Sequence, residues 1–66
     1  MNSLADRIIG GVDTHLDVHV AAALNQLGAL LGTETFPATA AGYRQLLRWL
    51  RGFGVVELVG VEGTGS

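Results

Sequence analysis

The sequence predicts one small α/β unit: a three-stranded antiparallel meander, one helix, and a fourth strand parallel to the first. Three observations predict it. From Arg7 onward, apolar and polar residues alternate with a period of two, which is strand patterning. After Pro37 the period changes, and Tyr43, Leu46, Leu47, Leu50 and Phe53 recur three and four residues apart, as on an amphipathic helix. Val55–Val61, VVELVGV, is then an almost unbroken apolar run, which fits a strand buried on both faces.

Each element follows in order. Residues 1–6, MNSLAD, form a chain end ahead of the alternation and are expected to be disordered, leaving 7–66 as the folded part. Ile8, Val12, Leu16, Val18 and Val20 share one parity, and Asp13, His15, Asp17 and His19 share the other. The run to Leu24 is too long for one strand of about 5–6 residues. It needs a break, which the polar cluster Thr14–Asp17 supplies. The first strand is therefore expected at Arg7–Asp13 and the second at Val18–Leu24. Asn25-Gln26-Leu27-Gly28 reads as a turn. The third strand is expected at Ala29–Phe36, stopped by Pro37. Thr39 is a good helix N-cap, the helix should run about 13 residues, and Gly52 and Gly54 supply its C-cap. The fourth strand is Val55–Val61, with a loop opening at Glu62. A right-handed crossover through the helix sets this strand beside the first.

Composition bounds the function. Of 66 residues, 48% are hydrophobic and only 15% charged, a core-rich balance for so short a chain. A chain of this size buries only about 60% of its unfolded surface, so the sequence is expected to be part of a larger domain. There are no cysteines, which excludes a disulfide framework and a cysteine zinc site. The net charge is −2, without the basic excess usual for a free-standing nucleic-acid module. No apolar run approaches the ~20 residues of a membrane span. The amino terminus does not read as an export signal, so a cytoplasmic protein with no membrane partner is expected.

The chemistry-bearing residues gather in "GVDTHLDVHVAA" and at the carboxyl end. If the fourth strand lies parallel to the first, Asp13 and Glu62 both fall at carboxyl ends of neighbouring strands, ~4.8 Å apart. Two carboxylates so placed suit a hard cation such as Mg²⁺ or Mn²⁺. The plainer reading is that Asp13 caps a turn and Glu62 begins a loop. His15 and His19 could hold a metal weakly with Asp17, but a polar turn and a solvated strand face are the simpler reading. The glycine-rich GVEGTGS has no following lysine or helix, so a plain loop is preferred to a phosphate cradle. Arg44, Arg48 and Arg51 are read as the solvated helix face rather than as phosphate contacts, and Trp49 as packing.

Three stretches together carry a resemblance: Val-Asp-Thr-His at 12–15, Phe-Pro-Ala-Thr-Ala-Ala-Gly-Tyr at 36–43, and Gly-Val-Glu-Gly-Thr-Gly-Ser at 60–66. Over Ile8 to Ser66 the chain resembles the amino-terminal end of DEDD-type transposases of the insertion-sequence-110 family, which includes the Piv-type DNA invertases. The resemblance implies a partial ribonuclease H-like (RuvC-like) fold. It implies DNA strand cleavage and rejoining, with Mg²⁺ (or Mn²⁺) held by an Asp-Glu-Asp-Asp tetrad. Asp13 would be its first member and Glu62 its second, both catalytic and metal-binding. Implied partners are DNA and, as in some members, an element-encoded RNA; a homo-oligomer is also compatible. Two departures stand out. Leu16 occupies a position where the family commonly has lysine, and the tetrad's last two acids have no counterpart in these 66 residues. The expectation is thus a fragment of a catalytic domain, inactive alone.

Two other readings compete. An actin-like or sugar-kinase-type nucleotide-binding fragment also begins with an aspartate after its first strand, but it normally has a glycine-threonine pair where this chain has Thr14-His15-Leu16. A non-enzymatic interaction module could associate through an exposed sheet edge.

Overall fold

The structure, a computed structural model, describes residues 7–63, with side chains through Val61. The expected disorder of residues 1–6 and the loop at 64–66 lie outside the described residues. Five elements follow in order: β1 (Arg7–His15), β2 (Val18–Leu24), β3 (Leu30–Pro37), α1 (Ala40–Arg51) and β4 (Val55–Gly63). They form one four-stranded mixed sheet in the order β3-β2-β1-β4. β1–β2 and β2–β3 are antiparallel, whereas β1–β4 is parallel. The mixed topology expected from the sequence is therefore present.

Several boundaries differ. β1 continues past Asp13 to His15, because the turn is a two-residue hairpin of Leu16 and Asp17 closed by the His15–Val18 pair. Pro37 ends β3 from within, where its missing N–H costs no ladder bond at an edge strand. β4 runs through Glu62 to Gly63, so Glu62 is a strand residue and not the start of a loop. The helix has 12 residues. Gly52 keeps a right-handed φ of −66° and is not a left-handed cap. The last turn closes by tightened bonds instead: Gly52, Phe53 and Gly54 donate N–H to the carbonyls of Trp49, Leu50 and Arg51.

The hairpin also resets parity. Paired residues in β1 and β2 sum to an odd number, so Ile8 and Val12 share a face with Ala21 and Ala23, not with Val18 and Val20. On that face Ile8, Val12, Ala21 and Ala23 are buried against Leu46 and Leu50 of α1. The small residues let the helix approach closely. A Cβ added at Gly10 would come within 2.7 Å of Leu50 Cδ1.

The helix entry explains its own sequence. Thr39 is extended, and its Oγ1 accepts the Gly42 N–H at 2.9 Å, satisfying one of the donors a helix start leaves free. Gly42 must be glycine in practice, since a Cβ there would land on the Pro37 carbonyl. Beneath, Trp49 packs tilted on Phe36 with centroids 5.9 Å apart and edge-to-face with Phe53 at 5.0 Å. Trp49 is thus a packing residue, as expected.

α1 covers one face only. β4 was expected to be buried on both faces, but it is an edge strand on which Val55, Leu58 and Val61 are each more than half exposed. Val56 and Val59 alone among its apolar side chains reach the core.

Candidate functional site

Asp13 lies near the carboxyl end of β1 on the face opposite α1, where its neighbours of like parity are Gly11 and His15. It is exposed. Among the described residues no side chain or backbone group pairs with its carboxylate. That is a costless arrangement in water, and it leaves both oxygens available to a ligand.

The parallel β1–β4 register pairs Asp13 directly with Glu62, one step beyond Val12–Val61 and Gly11–Gly60. The two backbones are thus on neighbouring strands, ~4.8 Å apart. On the other side Asp13 faces Val20 of β2. Beside it the sheet face is hollow. A shallow depression of about 460 Å³ is lined by Gly11, Asp13, Val20, Ala22, Thr33 and Gly60, among others. Glycine and alanine at its centre leave no side chain to fill it.

The remaining polar residues of the first hairpin do not join Asp13. His15 is exposed at the end of β1, and Asp17 lies in the turn. The Asp17 carbonyl accepts the Ala38 N–H at 2.8 Å, tying the hairpin tip to the helix entry. His19 is on the opposite face, because it pairs with Thr14 and not with His15. His15 and His19 therefore cannot share a metal, and the hairpin rules out the His-x-Asp-x-His clip. His19 is also not simply solvated. It is half-buried, with Nδ1 2.7 Å from Thr14 Oγ1 and its ring edgewise on Tyr43 at 5.9 Å. This contact was not legible in the sequence, because which β1 residue meets His19 depends on a two-residue turn.

Arg44, Arg48 and Arg51 are exposed on the outer face of α1. Arg48 and Arg51 also occupy its last turn, where positive charge complements the helix dipole. Thr64 to Ser66 of the glycine-rich close lie outside the described residues.

Among the described residues no group of three or more histidines, cysteines or acids is arranged around one point. What the geometry brings together is a pair, Asp13 and the Glu62 backbone. No helix among the described residues is long and apolar enough to cross a membrane. No family model matches the chain, and no curated protein or solved structure is significantly similar to it.

Proposed function

We propose that the chain is the amino-terminal part of a ribonuclease H-like catalytic domain of a DNA transposase, in which Asp13 and Glu62 are two acids of a metal-binding tetrad. The single observation that carries this reading is the register of the parallel pair, which sets Asp13 opposite Glu62. Three further features support it: the strand order, the open carboxylate of Asp13, and the three sequence stretches that resemble the insertion-sequence-110 transposases.

The donor set fits a hard divalent cation. Mg²⁺ prefers carboxylate oxygens and keeps several waters, so one or two protein carboxylates suffice to bind it. Asp13 and Glu62 would hold it. Bound there, the cation would supply charge stabilisation for an attacking or leaving oxygen of a DNA phosphodiester. What the chain itself contributes is a rigid base. β1 is a central strand whose other face is packed against α1, so Asp13 is held by backbone bonds on both sides. The hollow at Gly11 and Gly60 lets a ligand come close to the sheet beside the carboxylate. Two carboxylates with the remaining positions filled by water hold such a cation weakly.

Thermal melts test the reading. Millimolar Mg²⁺ at constant ionic strength raises the Tm of the wild-type chain by a few degrees, since a ligand of the native state stabilises it by mass action. Asp13→Asn, which keeps the shape and removes the charge, abolishes the shift. An equal shift in Asp13→Asn would remove Asp13 from the site.

A further inference from the structure

We propose that the uncovered face of the sheet is a self-association surface, closed by a second copy of this chain. The observation is an alternation of rows across the strands. Leu24, Ile9 and Leu58 are register neighbours on β2, β1 and β4 and form one row of large side chains on the open face. Two residues further along β1 comes a row of small ones, Ala22, Gly11 and Gly60. A Cβ at Gly11 or Gly60 would meet nothing within 4 Å, so this row is a hole in the surface.

A two-fold axis lying between two such faces, perpendicular to the strands and above Gly10, relates position 9 to position 11 and position 58 to position 60. Ile9 and Leu58 of one copy then enter the glycine row of the other, and the reverse contact follows by symmetry. A C2 interface requires this self-complementarity, and alternating large and small residues across it is what packs a core without voids. The same axis relates position 7 to position 13. Arg7 therefore meets Asp13 of the second copy, an opposite-charge contact made twice, and the association competes with any cation at Asp13 and any ligand in the Gly11–Gly60 hollow. The alternative axis, parallel to the strands, would set Arg7 against Arg7. Arg7 already holds Glu57 of its own chain at 3.1 Å, so at the interface it bridges two carboxylates.

With the whole face buried, the area reaches the threshold for a specific interface. Four strands ~4.8 Å apart and about eight residues rising ~3.3 Å each give a flat face of roughly 500 Å². Two copies then bury about 1,000 Å², the lower bound for a specific interface. Two sheets packed in this way adopt the aligned sandwich arrangement, offset by about 30° through their twist.

Sedimentation equilibrium on the whole chain tests the proposal, in buffer with EDTA so that metal at Asp13 plays no part. The expected mass is twice the chain's 6.9 kDa. A Cβ at Gly11 meets nothing in its own chain, so Gly11→Leu is expected to fill the hole and halve the mass, with an unchanged circular dichroism spectrum. Gly60→Leu does the same, and adding Leu58→Gly to it restores the dimer, because knob and hole have changed places. A wild-type chain monomeric throughout the micromolar range overturns the proposal. So does a dimer that survives both Gly11→Leu and Gly60→Leu, which would join copies through another surface.

Discussion

At Leu16 the backbone adopts φ = 57°, in the left-handed region that side chains avoid. For an L-residue this costs roughly 1–2 kcal/mol. Leu16 is 85% exposed, so its side chain returns little by burial. Leu16→Gly is therefore expected to stabilise the chain by about 0.5–1 kcal/mol, the part of the strain that remains after the extra unfolded-state freedom of glycine. A urea melt reads this as a higher midpoint with unchanged slope. At Gly42 the sign reverses. Glycine in a helix costs about 1 kcal/mol relative to alanine, and propensity alone recommends Gly42→Ala. The Pro37 carbonyl occupies the Cβ position, so Gly42→Ala is expected to lower stability instead, with the Tm falling. Asp13 was recognisable as a candidate site residue from its place at the end of an alternating run. The role of Gly42 was not recognisable, since it depends on where the chain before the helix passes.

Among the elements, the two hairpin connections show why boundaries were harder to read than identities. The second turn was legible because its residues have one use. Asn25 Oδ1 accepts N–H bonds from Leu27 and Ala29, both at 2.9 Å, and Gly28 takes a φ of 87°. The first turn was read as Thr14–Asp17 but occupies only Leu16 and Asp17. Neither is a residue that announces a tight hairpin, where Asn-Gly or Asp-Gly is usual. Parity counted straight through the run gives Val18 and Val20 a face with Ile8 and Val12, whereas a hairpin turn of even length reverses every β2 residue relative to that count and separates His19 from His15. The two-residue turn itself shifts the register by two, so that His19 meets Thr14. The helix was legible through Thr39, whose cap bond is present. Thr39→Ala is expected to cost about 1 kcal/mol, and Thr39→Ser to recover most of it, as followed by denaturant unfolding. The loop was placed two residues too early. β4 runs on through Glu62, which pairs with Asp13, to Gly63, which pairs with Thr14 in the extended β1.

For the molecule as a whole, the consequence is a core on one side of a sheet. Leu46 and Leu50 are fully buried, and few other large side chains are. Stability of a chain this size is expected at roughly 3–10 kcal/mol. Leu50→Ala is expected to remove about 2–5 kcal/mol of it, read as a markedly lower urea midpoint by far-ultraviolet circular dichroism. The high hydrophobic content was legible as more apolar surface than one helix can cover. Which strand would remain exposed was not, because VVELVGV reads alike for a buried strand and for an edge strand awaiting a partner.

The most direct measurement is a titration of Mn²⁺ into the ¹⁵N-labelled chain, reading the broadening of each amide signal. If Asp13 and Glu62 form the metal site, the signals around these two positions broaden first and together, and Asp13→Asn removes the effect at both. Broadening centred instead on Asp17, Glu34 or Glu57, or spread evenly over all acidic residues, would contradict a metal site at the ends of β1 and β4.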